Sequence, residues 1–181
     1  YGYVQVLKYS SGSWSQLGSS IDGSTGEKIG EGYSDDLLSL NEAGDILAIG
    51  APLADSKTGL TRAYQYSSGS WSQLGSDIIG EDAGGHAGIS VKFDSTGLIL
   101  AVGAYKNNGT DVFAGHVRVF EYSGGSWSQL GSDIDGETTF DFSGFGMDLN
   151  SDGTIVAIGA YSNGAGNSGH VRVYEYSAGS W

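Results

Sequence analysis

The sequence predicts an all-β protein made of β-propeller-type repeats, each a blade of four antiparallel strands. Three observations lead to this prediction. The segment Tyr-Ser-x-Gly-Ser-Trp occurs four times, and its tryptophans, spaced 57, 56 and 54 residues apart, are Trp14, Trp71, Trp127 and Trp181. The 32 glycines and the single proline lie among short apolar runs, as tight turns between strands require. No apolar period of 3.6 residues is present, and four strands in roughly 40–50 residues are typical of one propeller blade.

The strands of one repeat follow from its apolar pattern, which is clearest in the second copy. Gly88–Phe93 is the predicted first strand, and the turn Asp94–Gly97 reverses the chain, because Asp and Gly supply the left-handed positions of a hairpin. Ile99–Ala104 is apolar on both faces, which predicts a buried central strand. The third strand, His116–Tyr122, is rich in valine and aromatic residues, and a Ser-Gly turn joins it to the fourth, Trp127–Ile134. Counterparts of the first two strands lie at Asp35–Leu40, Gly144–Leu149, Ile46–Ala51 and Ile155–Ala160.

The repeats form a single array of about three and a quarter copies, at about residues 2–58, 59–114 and 115–168, with a partial copy at 169–181. Propellers usually need about four to eight blades, so this number predicts an incomplete ring. Residues 1–14 and 168–181 are copies of one segment. We therefore expect a piece of a longer propeller, a ring completed by several copies, or self-assembly into an oligomer or filament through an unpaired strand edge.

Composition argues against several kinds of partner and site. The net charge of −13, from 8 basic and 21 acidic residues, argues against nucleic acid, whose phosphates would be repelled. No run approaches the roughly 18 apolar residues of a membrane helix, so no membrane span is expected. Cysteine is absent, which removes disulfides and thiolate metal sites.

Several short motifs together resemble the FG-GAP repeat. They are Ser143-Gly144, the turn Asn150–Gly153, the strand Ile155–Ala160 and the segment Gly169–Tyr174, and Ile49–Pro52 contains the Gly-Ala-Pro itself. FG-GAP repeats build the head propeller of integrin α chains and occur in many microbial surface proteins. The resemblance therefore implies a propeller that is extracellular or at the cell surface and acts in adhesion.

The resemblance also makes calcium a candidate cofactor, because the first hairpin of an FG-GAP blade often carries a loop of the form Asp-x-Asp-x-Asp-Gly. Only the third turn here keeps two oxygen-bearing side chains in register, Asn150 and Asp152. Calcium takes six to eight oxygen ligands, so the favoured alternative is a turn capped by its own side chains. No other cofactor is expected.

The tryptophans at one repeat position, Trp14, Trp71, Trp127 and Trp181, allow two interpretations. They could be sugar-stacking platforms, as in lectin propellers, or large packing residues between repeats, each with one N–H to satisfy. A position that is kept in every repeat is first of all a folding position, so the packing interpretation is favoured.

Other candidate ligand-binding residues lie on loops. Tyr105 and Tyr161 open variable loops, where binding residues on rigid scaffolds are often found. Asp135 and Glu137 belong to the recurring segment Ser-Asp-Ile-x-Gly-Glu, which would form either a ligand or cation rim or a solvated acidic loop. Asn108 heads the glycosylation sequon Asn-Gly-Thr.

Histidine and arginine also occur at equivalent positions of the third strand. A metal site made of His116 and His170 would need the two side chains to converge, whereas the repeat sets them one unit apart, so ligation is not expected. Arg62, Arg118 and Arg172 are predicted to pair with neighbouring acids.

The sequence contains no Ser/His/Asp spacing, phosphate-binding loop or distinctive pair of carboxylates, so the chain is predicted not to be an enzyme. The leading expectation is an adhesion or structural repeat module that acts through protein–protein contacts within a larger propeller or assembly. The alternatives are a carbohydrate-binding, lectin-like propeller and a glycosidase-type enzyme on a propeller scaffold.

Overall fold

The computed structural model describes residues 2–164, 166 and 168–181. Tyr1, which begins the first copy of the repeated end segment, lies outside the described residues. The described residues form antiparallel sheets in repeated units, so the prediction of an all-β fold is confirmed. None of them forms a helix that is long and apolar enough to cross a membrane.

The first part of the chain forms a partial unit and then a complete one. The N-terminal partial unit consists of β1 (Tyr3–Val4), β2 (Leu7–Ser10), β3 (Ser13–Gln16) and β4 (Ile21–Asp22). In it β1 pairs with β4 and β2 with β3. Unit 1 consists of β5 (Leu38–Leu40), β6 (Ile46–Ala51), β7 (Leu60–Ser67), β8 (Ser70–Gln73) and β9 (Ile78–Ile79). Its strand order is β5-β6-β7-β8, and β9 pairs with β7.

The second part repeats the same plan. Unit 2 consists of β10 (Ser90–Phe93), β11 (Ile99–Ala104), β12 (His116–Ser123), β13 (Ser126–Gln129) and β14 (Ile134–Asp135). Unit 3 consists of β15 (Ser143–Leu149), β16 (Ile155–Ala160) and β17 (His170–Glu175). The second strand of each unit begins and ends at the residues that the sequence predicts. A turn at Ala54–Lys57, labelled α1, has φ of 43° and 55° at two inner residues and is left-handed rather than a helix.

The predicted fourth strand, Trp127–Ile134, is divided into β13 and β14 in the structure. Between them Gly131 adopts a φ of 77°, a left-handed conformation that interrupts a strand and that glycine reaches without strain. The N–H of Leu130 still donates to the carbonyl of Val119 at 2.7 Å. The chain therefore stays beside β12 across the interruption, and β14 pairs with the beginning of that strand.

Successive units pack face to face, and the first strands of units 2 and 3 lie against the preceding unit. β10 contacts β5 and β6, and β15 contacts β10, β11 and β12. Each of the three interfaces between units holds one buried apolar cluster. The cluster between units 1 and 2 consists of Ile46, Ala48, Ala63, Ile78, Val91, Phe93, Leu100, Val102 and Phe120. The core therefore lies between the sheets.

The repeated tryptophan connects each unit to the one before it. Three indole N–H groups each donate, at 2.8 Å, to a leucine carbonyl of the preceding unit: Trp71 to Leu17, Trp127 to Leu74 and Trp181 to Leu130. Trp14 has no preceding unit among the described residues, and it is 67% exposed. These three bonds give the tryptophan a packing role.

Unit 3 presents to solvent the face that units 1 and 2 bury. Val171 and Val173 are 68% and 66% exposed, whereas the equivalent Val117 and Val119 are fully buried at 0%. Along β16 buried and less buried residues alternate, while every residue of β6 is buried. Burial on both faces, predicted for all three second strands, is thus complete in unit 1, nearly complete in unit 2 and confined to one face in unit 3.

Candidate functional site

The polar residues of the repeats meet beside the third strands, and unit 1 shows the simplest arrangement. Arg62 lies between Asp77 of its own unit and Glu27 of the preceding connection. Its Nε and Nη2 donate to Asp77 at 2.8 Å, and its Nη1 and Nη2 donate to Glu27 at 2.9 and 2.7 Å. The hydrogen bonds from Arg62 lower the pKa of both carboxyls. Each acid of this group is therefore directly bonded to the arginine.

The equivalent group in unit 2 is more open. The Nη2 of Arg118 donates to the carbonyl of Ile79 at 2.7 Å, and its Nη1 lies 3.4 Å from Glu81 Oε1. Asp133, the counterpart of Asp77, accepts from Gln129 Nε2 at 2.6 Å, and among the described residues it has no bond to the arginine. The carboxylates of Glu81 and Asp133 are thus left with unused acceptor capacity.

His116, the first residue of β12, faces these carboxylates. Its side chain is 1% exposed, and its Nδ1 lies 3.7 Å from Asp133 Oδ2, 3.8 Å from Glu81 Oε2 and 3.9 Å from Asp135 Oδ1. Among the described residues neither ring nitrogen has a hydrogen-bond partner. Burial, with the nearby charge of Arg118, lowers the pKa of His116 to about 4, so the imidazole is neutral at neutral pH. Burial and the charge of Asp133 raise the pKa of Asp135.

Unit 3 contains part of the same arrangement. Arg172 Nη1 lies 3.0 Å from Glu137 Oε1, and His170 Nε2 lies 3.7 Å from Glu137 Oε2. The two acids predicted to bind ligand therefore serve different units, because Asp135 lies beside His116 while Glu137 lies beside His170. The histidines stay one unit apart, as expected. What sequence reasoning missed is that each histidine meets acids of the preceding connection.

Asn150 and Asp152, the candidate calcium ligands, bond within their own turn. Asn150 Oδ1 accepts from the N–H groups of Thr154 and Ile155 at 2.9 and 2.8 Å. Asp152 Oδ1 accepts from Thr154 Oγ1 and from Asn150 Nδ2, both at 2.6 Å. This is the turn capped by its own side chains that the sequence favours over a cation loop.

The two loop tyrosines have different environments. Tyr105 is only 5% exposed, and its ring packs against His86 at 5.4 Å and Phe145 at 5.2 Å. It is therefore a core residue and is not available as the loop platform that was expected. Tyr161 is 53% exposed and stacks on Phe142, with ring centroids 5.1 Å apart and planes inclined by 5°.

Asn108, the candidate glycosylation residue, lies on the loop before β12. The residue is exposed, and its Oδ1 accepts from the N–H of Phe113 at 3.2 Å. Its own N–H donates to Asp82 at 3.1 Å. The exposure is compatible with modification, which stays a prediction.

His86 predicts a dependence of stability on pH. Burial, together with the charges of Lys106 and Lys57, lowers its pKa from 6.5 to about 4. Because the folded state disfavours the proton that the unfolded chain accepts, the contribution of His86 to the free energy of unfolding is largest above pH 6.5. We expect it to fall between pH 6.5 and 4, by up to about 3 kcal/mol. Urea unfolding over this range, compared with His86→Asn, isolates the contribution.

Asparagine suits this comparison because His86 has a φ of 60°, a left-handed conformation that Asn also tolerates. The variant keeps the backbone and removes the titration. His116 titrates in the same interval in both proteins, so only the difference between the two curves reports His86. A difference that does not change with pH would contradict the prediction.

Comparison with known proteins gives fold-level likeness only. No protein-family model matches the sequence, and no curated protein matches it. A putative 6-phosphogluconolactonase from Bacteroides uniformis superposes with a TM-score of 0.64 at 10% identity, covering 96% of this chain and 45% of that one. TolB from Acinetobacter baumannii gives a TM-score of 0.48 at 14% identity, covering 98% and 38%. The chain spans less than half the length of either structure.

The prediction that the chain is not an enzyme is contradicted by the first of these likenesses. The fold that the chain shares over almost its whole length is that of a protein described as a putative 6-phosphogluconolactonase. The lack of a recognised catalytic motif was therefore too weak an argument against catalysis. At 10% identity the likeness shows the fold and transfers no substrate.

Proposed function

We propose that this chain is a propeller-type repeat module that acts through protein–protein contacts, and that its two end faces associate head to tail with further copies. The observation that carries the proposal is the face of unit 3. Val171 and Val173 are 68% and 66% exposed there. The equivalent residues of unit 2, Val117 and Val119, are buried against unit 3. Burying two such side chains would contribute about 3 kcal/mol or more per contact.

The first strand of unit 1 also exposes apolar side chains. In units 2 and 3 the receiving face is formed by first-strand residues, such as Phe93 and Leu149, which pack on the preceding unit. In unit 1 the corresponding first-strand residues Leu38 and Leu40 are 44% and 47% exposed. Trp14 of the partial unit is 67% exposed. Val4 and Val6 of the N-terminal partial unit, at the repeat positions of Val171 and Val173, already pack on this face, so Leu38 and Leu40 form the part of it that stays open.

A contact between two different faces leads to rings when the rotation closes and to filaments when it does not. Ring closure would give the complete propeller, and the resemblance to FG-GAP repeats supports an adhesive role outside the cell or at its surface. Association of this kind is compatible with catalysis on the same scaffold.

Sedimentation velocity over a range of concentrations tests the proposal. We expect self-association of the 181-residue chain, and we expect Val171→Asp combined with Val173→Asp to abolish it, because two carboxylates would be buried in the contact. Val112→Asp is the matched control, since Val112 is 48% exposed on the loop before β12 and not on β17. A monomer at every concentration, or equal association of the face variant and the control, would overturn the proposal.

A further inference from the structure

Units 1 and 2 differ in one cross-strand pair of residues. In unit 1, Leu60 of β7 pairs with Ile79 of β9, an apolar pair. At the same register in unit 2, His116 of β12 pairs with Asp135 of β14. The backbone plan is the same in both units, so the polar pair is not required by the fold.

The second observation concerns the neighbouring arginine. In unit 1 Arg62 is bonded to both acids of its group, whereas in unit 2 the Nη2 of Arg118 is bonded to the carbonyl of Ile79. Glu81, Asp133 and Asp135 bring three carboxylates to the group, and Arg118 brings one positive charge. The group therefore has an excess of two negative charges, which a divalent cation would balance.

The third observation is the unpartnered imidazole. His116 is 1% exposed, and among the described residues both of its nitrogens lack a hydrogen-bond partner, which is costly for a buried polar side chain. Its Nδ1 points into the acid cluster at 3.7–3.9 Å from three carboxylate oxygens, too far for a hydrogen bond. His116 and two of these acids, Glu81 and Asp133, bring ligand atoms that lie within 4.8 Å of one another, so one ion placed among the three would face all of them.

We propose that Glu81, His116 and Asp133 bind a divalent transition-metal ion such as Zn²⁺, and that Asp135 lies beside the bound ion. Ligand atoms of the three residues lie within 4.8 Å of one another. Zn²⁺ bound at about 2.1 Å holds neighbouring ligand atoms about 3.4 Å apart, so the distances of 3.7 and 3.8 Å from His116 Nδ1 to the oxygens of Asp133 and Glu81 need to shorten by only a few tenths of an ångström. Imidazole nitrogen combined with carboxylate oxygen selects Zn²⁺ and its neighbours over Ca²⁺, which prefers oxygen alone.

The site is reachable from solvent through its acids. The side chains of Glu81, Asp133 and Asp135 are 45%, 32% and 30% exposed, while the imidazole closes the inner side. Glu81 belongs to the connection after unit 1, and the other ligands belong to unit 2. A bound ion would therefore also link two units.

Calorimetric titration of the chelator-treated chain with ZnCl₂ tests the site. We expect one ion per chain with a Kd on the order of 1 μM, and melting about 5 °C higher when Zn²⁺ is present at 100-fold its Kd. His116→Leu combined with Asp135→Ile installs the pair that unit 1 already carries, so it should fold and bind at least 100-fold more weakly. His170→Leu, at the equivalent position of unit 3, should change the Kd by less than about twofold.

Four outcomes would overturn the assignment. They are the absence of saturable binding, equal affinity in the His116→Leu/Asp135→Ile variant, an equal loss in His170→Leu, and binding of CaCl₂ as tight as that of ZnCl₂. The first three would leave no site at His116, and the fourth would make the cluster a general acidic site. Self-association of the chain can be present or absent in each case, so failure here is distinct from failure of the proposed function.

Discussion

Gly103→Ala is expected to destabilise the protein by on the order of 3 kcal/mol or more. Gly103 lies on β11, where unit 2 meets unit 3, and a Cβ built there would fall on the carbonyl oxygen of Gly144 in the next unit and on the hydroxyl of Ser90. The obstacle is backbone, which cannot turn aside as a long side chain can. Urea unfolding followed by tryptophan fluorescence would measure the loss.

Gly159→Ala is the matched control, because Gly159 holds the same position in unit 3. The nearest atom to its Cβ would be the carbonyl oxygen of Gly146 in its own unit, at 3.4 Å. We expect a change between zero and about 1 kcal/mol in the stabilising direction, since alanine restricts the unfolded chain. Equal effects at the two positions would show that close approach between units is not what requires glycine in this strand.

Trp127→Ala is expected to destabilise the protein by about 3 kcal/mol. The indole packs on the cluster between units 1 and 2, lies 5.1 Å from the ring of Tyr122 and donates to the carbonyl of Leu74 at 2.8 Å. Trp127→Phe keeps most of the apolar contact and removes the N–H, so we expect about 1 kcal/mol for that change. Chemical unfolding of both variants separates packing from the hydrogen bond.

The control for this series is Trp14→Ala. Trp14 holds the same repeat position, keeps its tyrosine neighbour Tyr9 at 5.4 Å and is 67% exposed. Its replacement should change the free energy of unfolding by less than about 1 kcal/mol. If Trp14 and Trp127 proved equally important, the stabilising contact would be the tyrosine pair within each unit rather than the contact between units.

Most of the fold could be predicted because the apolar blocks and turn residues of each repeat mark where its strands begin and end. The apolar block Ile99–Ala104 coincides with β11, and the turn beginning at Asp94 is capped by its own carboxylate, as Asp-Ser-Thr-Gly predicts. The division of the fourth strand could not be predicted from its apolar pattern. The division depends on the left-handed conformation of Gly131. The sequence Leu-Gly at this point is equally compatible with the end of a strand followed by a turn.

Contacts between units were harder to predict from the sequence. Tyr105 begins a loop, and its burial comes from aromatic residues of another unit, Phe142 and Phe145, that no local pattern connects to it. The sequence relates His116 to its repeat equivalent His170, whereas the structure places Glu81 and Asp133 beside it. The sequence does show that Leu60 and Ile79 of unit 1 are replaced by His116 and Asp135 in unit 2. This replacement indicates a polar site only once the strand register shows that the two positions are paired.

The placement of the core between sheets has a consequence for how the molecule opens. Unit 2 is covered on both faces, by unit 1 and by unit 3, whereas the N-terminal partial unit and unit 3 are each covered on one. Stability in such an array is a sum over neighbouring pairs, so local opening starts at the outer sheets and reaches the middle last. His116, at the start of the middle unit's third strand, therefore lies in the part of the chain that stays closed longest.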